Sequence, residues 1–129
     1  MTKTTRLYGS LLIGFVLLAV GPLAGMAKAA DCKALEVSIR KERSLIKKKA
    51  MITDAIKVCP NDAGIMYQDG YSYERLRKYE DAVRSYKKAI SIDPGFAKAY
   101  FSIGDIQMLT KNYKEAVNYY QQGLRHQPA

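Results

Sequence analysis

The sequence predicts an all-α chain, an α-solenoid of helix-turn-helix units stacked side by side, and three observations carry that expectation. Residue types recur every 34 positions: Pro60, Pro94 and Pro128; Gly70 and Gly104; Tyr79 and Tyr113; Ala82 and Ala116; Val83 and Val117; Tyr86 and Tyr120. A period of that length is one helical hairpin, which buries its apolar face only by stacking on the next. Within a unit, Ala82, Val83, Tyr86, Ala89 and Ile90 fall at helical intervals. The prolines close each unit, because their ring ends a helix and sets the turn into its successor. At 129 residues the chain holds one small domain.

Residues 1–29 read as a leader. Lys3 and Arg6 precede an apolar run over residues 11–20, then Gly21-Pro22, then the small-residue stretch ending Met26-Ala27-Lys28-Ala29-Ala30. A basic start, an apolar middle and a small-residue exit are the layout of a secretory signal peptide, with the cut expected after Ala29. Left uncut, residues 7–27 are about long enough to span a bilayer, and the basic end would keep the remainder facing outward. Asp31 ahead of Cys32 argues against lipidation of that cysteine. Either route places the rest of the chain outside the cytoplasm, in the periplasm or beyond; an inner-membrane anchor facing the periplasm is the alternative.

Residues 30–62 read as a degenerate capping hairpin. Ala55 and Pro60 lie one period before Ala89 and Pro94, but Glu36 stands where the later copies have glycine. Helices are expected over residues 31–42 and 45–58. The competing reading is one continuous helix, since neither Gly nor Pro interrupts the stretch. The chain's two cysteines discriminate, and an even number in an exported small domain points to a bond. Along one helix Cys32 and Cys59 would lie about 40 Å apart. In a hairpin the start of one helix meets the end of the other, within the ~6 Å Cα spacing a disulfide needs. A Cys32–Cys59 disulfide is therefore expected.

Residues 63–96 and 97–129 are the two clear copies. The first places Met66, Gly70, Tyr73, Ala82, Tyr86, Ala89 and Pro94 in order, and the second places Tyr100, Ile103, Gly104, Ala116, Tyr120, Gly123 and Pro128. This pattern resembles the tetratricopeptide repeat (TPR), whose signature runs large aromatic, Leu-Gly, Tyr, Ala, aromatic, Ala, Pro. The departures are Asp69 in place of Leu, Gln107 in place of Tyr, and Arg77 and Lys111 in turns where glycine is common. Those two turns are expected on right-handed geometry.

No residue pattern carries chemistry. His126, the only histidine, stands near the chain end with neither an orienting partner nor a nucleophile beside it. Phosphate loops, zinc spacings and nucleophile elbows are absent, so no cofactor, no metal and no enzyme activity is expected.

The resemblance implies a concave groove lined by the first helix of each unit. Carried onto this chain, it implies Tyr67, Tyr71, Glu74 and Arg75 from one copy, and Lys98, Phe101, Asp105, Met108 and Leu109 from the next. The capping hairpin would add Lys33, Val37, Arg40 and Lys41. The Lys and Asn pattern with which some members clamp a C-terminal carboxylate is replaced by Tyr67 and Tyr71. Val117, Tyr120 and Leu124 would lie partly uncovered on the last helix, inviting a homo-oligomer or a partner.

Charge narrows the partners. The formal net charge is +9, and loss of Lys3, Arg6 and Lys28 with the leader lowers it to about +6. The excess gathers around Lys47-Lys48-Lys49. Export makes nucleic acid the least suitable anion, and membrane contact is expected only for an uncleaved leader. The function expected is a non-enzymatic adaptor that holds a partner protein's segment in the groove. The alternative is a structural module tethered to anionic envelope surfaces through Lys41, Arg43, Lys47, Lys48 and Lys49.

Overall fold

The computed structural model describes residues 22–127, with side chains from residue 31 onward. Six helices follow in order: α1 (Pro22–Lys41), α2 (Leu45–Val58), α3 (Ala63–Arg75), α4 (Tyr79–Ile92), α5 (Ala97–Leu109) and α6 (Tyr113–Arg125). No strand occurs among the described residues. Contacts are densest within the α3/α4 and α5/α6 pairs, then between α4 and α5, so each hairpin packs on its neighbour. This is an α-solenoid.

The boundaries have local causes. Ser44 opens α2, its hydroxyl accepting from the Lys47 amide at 3.4 Å while its own amide donates to Glu42 Oε1 at 2.7 Å. Asp62 opens α3 by accepting from the Ile65 amide at 2.9 Å. Glu80 and Asp81 complement the positive end of α4. Asp93 Oδ1 accepts from the Gly95 amide at 2.9 Å and shapes the turn into α5.

Two expectations about the backbone are corrected. Helix α1 begins at Pro22 rather than Asp31; proline is tolerated in a first turn, and the alanine-rich stretch after it favours helix. The other concerns the inter-helix turns, where Arg77 has φ 57° and Lys111 φ 63°. Both are left-handed, not right-handed. The turn demands it: the Lys78 amide reaches back to the Tyr73 carbonyl at 2.9 Å, and the Asn112 amide to the Gln107 carbonyl at 2.8 Å. These six-residue closures are Schellman motifs, and their penultimate residue must be left-handed whatever its side chain.

The core has two parts. Met66, Ala82, Tyr86, Ala89, Ala99, Ile103 and Ile106 are buried together where α3, α4 and α5 meet. Ile39, Ile52, Ala55, Cys59 and Ile65 are buried where α1 and α2 pack on α3, and Ile56 touches both clusters. Gly70 and Gly104 permit the tight pairing inside each hairpin. A Cβ on Gly70 would sit 2.6 Å from the Tyr86 ring, and one on Gly104 2.5 Å from the Tyr120 ring. In the first hairpin Glu36 takes that glycine's place, and its carboxylate instead lies over Gly64 of α3. Cys32 and Cys59 are bonded, with Cα atoms 5.8 Å apart. The helix is interrupted at residues 42–44, so α1 and α2 are not one helix.

Candidate partner-binding groove

Helices α3 and α5 carry the expected groove residues, and the structure places them in three ways. Some are exposed and gathered. Tyr71 (39% exposed) and Arg75 join Arg40, Lys41, Glu42, Arg43, Leu45 and Lys48 around a cavity of about 480 Å³. Glu74, Arg75 and Leu109 line a neighbouring one of about 350 Å³ with Arg77 and Tyr79. Arg75 therefore stands between two hollows, and Leu109 (63% exposed) and Met108 (45%) continue the surface along α5. Lys98 is exposed at the start of α5.

Others turn partly inward. Tyr67 packs its ring on Tyr86 at 5.3 Å and on Phe96 at 5.4 Å, and its hydroxyl accepts from Ser102 at 3.4 Å. Phe101 lies against Gly123 of α6, where a Cβ would come within 2.8 Å of its ring. It is half-buried inside its own hairpin. Val37 is half-buried on α1, and Lys33 pairs with Glu36.

The acidic groove residues hold the tyrosines of the second helices. Tyr86 donates to Glu74 at 2.6 Å and Tyr120 to Asp105 at 2.8 Å. Burial, reinforced by the Glu74 carboxylate, pushes the Tyr86 phenol far above its usual range. The hydrogen bond to Asp105 raises Tyr120 in the same direction. Both rings therefore stay neutral donors, tying the groove wall to the helix behind it.

The basic run does not form one solvated face. Lys49 lies over the Tyr73 ring at 3.4 Å and pairs with Asp69 at 3.3 Å. Asp69 also accepts from the Ser85 hydroxyl at 2.6 Å, so the acid in the usual leucine position links α2, α3 and α4. Lys48 is only 7% exposed, its ammonium 5.4 Å from the centre of the Tyr71 ring. Its burial was legible in the spacing: Leu45, Lys48, Ile52 and Ala55 repeat at helical intervals on one stripe of α2. At the far end Val117 and Leu124 are 53% and 61% exposed on α6. His126 is exposed, its ring stacked on Tyr100 at 5.3 Å. No cluster of metal-ligating side chains, and no helix long and apolar enough to cross a membrane, occurs among the described residues.

A family model described as TPR repeat matches residues 76–111, and one described as tetratricopeptide repeat matches residues 97–129. Residues 76–129 carry tetratricopeptide repeats. Among similar TPR proteins, Hsp70-Hsp90 organizing protein 3 of Arabidopsis thaliana is 36% identical over 76 residues, covering 59% of this chain. This TPR chain spans only 14% of that protein's length. Small glutamine-rich tetratricopeptide repeat-containing protein 2 of Mycosarcoma maydis is 31% identical over 75 residues, covering 58% of this chain and 21% of its own length. The crystal structure of MamA superposes with a TM-score of 0.66 at 26% identity, over 74% of this chain and 57% of that one. The second TPR of Spaghetti (RPAP3), solved with the HSP90 peptide SRMEEVD, gives 0.67 at 21% identity, over 81% and 99%. At that identity the likeness is one of fold. TPR proteins mediate protein–protein interaction.

Proposed function

We propose that this TPR protein is a non-enzymatic adaptor of the cell envelope that holds a partner protein's segment along the face of α3 and α5. The observation that carries the reading is the exposure of Tyr71, Met108 and Leu109 on successive first helices, with Arg75 between them. Large apolar side chains flanked by charge anchor a peptide well, because the ring or aliphatic chain loses water while the rim fixes register. Similarity to an organizing protein of chaperones supports a protein partner. Export rests on the order of Lys3, Arg6, the apolar run and Ala27-x-Ala29, together with the Cys32–Cys59 bond, which suits an oxidising compartment.

The test is site-specific photocrosslinking in the intact cell. A photoreactive side chain at position 71 or 109 should capture a defined protein, whereas one at Lys114, exposed on α6, should not. Equal capture from all three positions would remove the groove. Fractionation in the same cells, with sequencing of the mature N-terminus, checks the location: the adaptor should leave the cytoplasm and begin at Ala30.

A further inference from the structure

The two edges of the stack differ in charge. The turns inside the hairpins, which follow α1, α3 and α5, lie in a row along one edge. Arg75 at the end of α3 shares a hollow with the α1–α2 turn, and the α3–α4 turn shares others with Leu109 and Thr110. The first turn bears Arg40, Lys41, Arg43 and Lys47 at its surface. The second bears Arg77 and Lys78, and the third bears Lys111. None of these cations pairs with a carboxylate among the described residues. Most acids nearby are engaged: Glu42 holds the Ser44 amide, Glu74 the Tyr86 hydroxyl and Asp81 the Arg84 guanidinium, which leaves Glu80. At the opposite edge the turns between hairpins, residues 59–62 and 93–96, hold no cation. Each has an aspartate instead, Asp62 and Asp93.

Arg43, Arg77 and Lys111 are spaced 34 residues apart, so every unit puts a cation at the same position of its turn. Folding does not ask for one there. Arg77 and Lys111 hold left-handed backbone, φ 57° and 63°, which glycine would adopt without crowding. Apolar side chains stand among the cations: Ile46 is 86% exposed and Leu76 44%. We propose that this basic edge docks on an anionic lipid bilayer, with Ile46 and Leu76 dipping between the headgroups. Headgroup phosphates attract the cations, and the acyl boundary takes the aliphatic tips. Spread over three turns, the charges fit a surface of many headgroups better than one short acidic segment. The basic run of α2 alone would not make this surface, since Lys49 pairs with Asp69 and Lys48 is buried beside Tyr71. Nor does the docking need the leader. Cys32 is bonded to Cys59 at the far edge, so the part of α1 that precedes Cys32 departs from there.

The experiment attaches an environment-sensitive fluorophore to the full chain through Ile46→Cys or Leu76→Cys. Asn61→Cys, exposed on the far edge, is the reference, and the native cysteines stay bonded. Vesicles of equal parts phosphatidylglycerol and phosphatidylcholine should shift the emission to the blue at positions 46 and 76 and leave 61 unchanged. Phosphatidylcholine alone should shift none of them, and added salt should release the chain. Arg77→Gly with Lys111→Gly removes two cations and relieves the crowding of both turns. That pair should weaken partitioning, read at position 46, about tenfold or more while the melting temperature holds or rises. Arg43→Gln with Lys47→Gln, both at exposed sites, should weaken it as far. Unchanged partitioning in both double variants would overturn the proposal. So would an equal shift at position 61 or an equal response to phosphatidylcholine alone, since the leader would then be what meets the bilayer. A shift at position 46 with polyglutamate and none with vesicles would give the edge to an acidic protein and overturn it too.

Discussion

Arg77 and Lys111 are the residues whose conformation costs the fold most visibly. Each lies in the left-handed region, φ 57° and 63°, where a Cβ crowds the backbone and costs about 1–2 kcal/mol. The Schellman closures at Lys78 and Asn112 hold them there. Glycine at either site relieves the crowding but adds freedom to the unfolded chain, which offsets part of the gain. Arg77→Gly and Lys111→Gly should each stabilise the protein by about 0.5–1 kcal/mol, additively because the turns lie in different hairpins. Denaturant titration checks this, and a loss of stability in either variant would contradict the geometry. The sequence marked both sites as departures but gave them the wrong hand. The residue type suggested a right-handed turn, while the return hydrogen bonds that force the other hand are not written in any one residue.

At the scale of the element, the first hairpin differs from the others in what holds it. Helices α3/α4 and α5/α6 interlock through Gly70 under Tyr86 and Gly104 under Tyr120. The α1/α2 hairpin has Glu36 in that position and a disulfide instead, closing 27 residues of sequence between Cys32 and Cys59. By loop entropy such a bridge stabilises by about 3–4 kcal/mol. Reduction should therefore destabilise the chain by that order and raise amide exchange first in α1 and α2, while α3 to α5 keep their protection. Uniform loss of protection along the chain would show that the bridge supports the whole stack rather than its first unit. Hairpin and bridge were both readable in the sequence because a single long helix would have held the sulfurs apart. The reach of α1 back to Pro22 was not, since proline reads equally well as a helix end and as a first-turn residue.

Over the whole molecule, the two repeats offer the same surface in two environments. Val83 on α4 is half-buried against the core, whereas Val117, one period later on α6, is 53% exposed. In a stack, stability is a sum of unit and neighbour terms. Val83→Ala should cost about 1–2 kcal/mol, and Val117→Ala under about 0.5 kcal/mol. Equal costs would mean that α6 is covered in solution. The same stacking explains the groove. Tyr71 and Arg75 on α3 meet Arg40 and Lys41 on α1 around one cavity, and Glu74 and Arg75 meet Leu109 on α5 around another. Tyr67 and Phe101 were expected at the same surface, and each is half-buried against aromatic or glycine neighbours.

By itself the sequence determined the repeat, its register and the helix pairs, because periodic apolar burial, glycine at the crossing and proline at the exit act over one or two turns of chain. Which charges end up near one another was decided by tertiary structure alone. Lys48 and Lys49 are adjacent in sequence, yet one lies by the Tyr71 ring and the other pairs with Asp69. A step of one residue turns a helical side chain by about 100°, and what it meets there belongs to other hairpins.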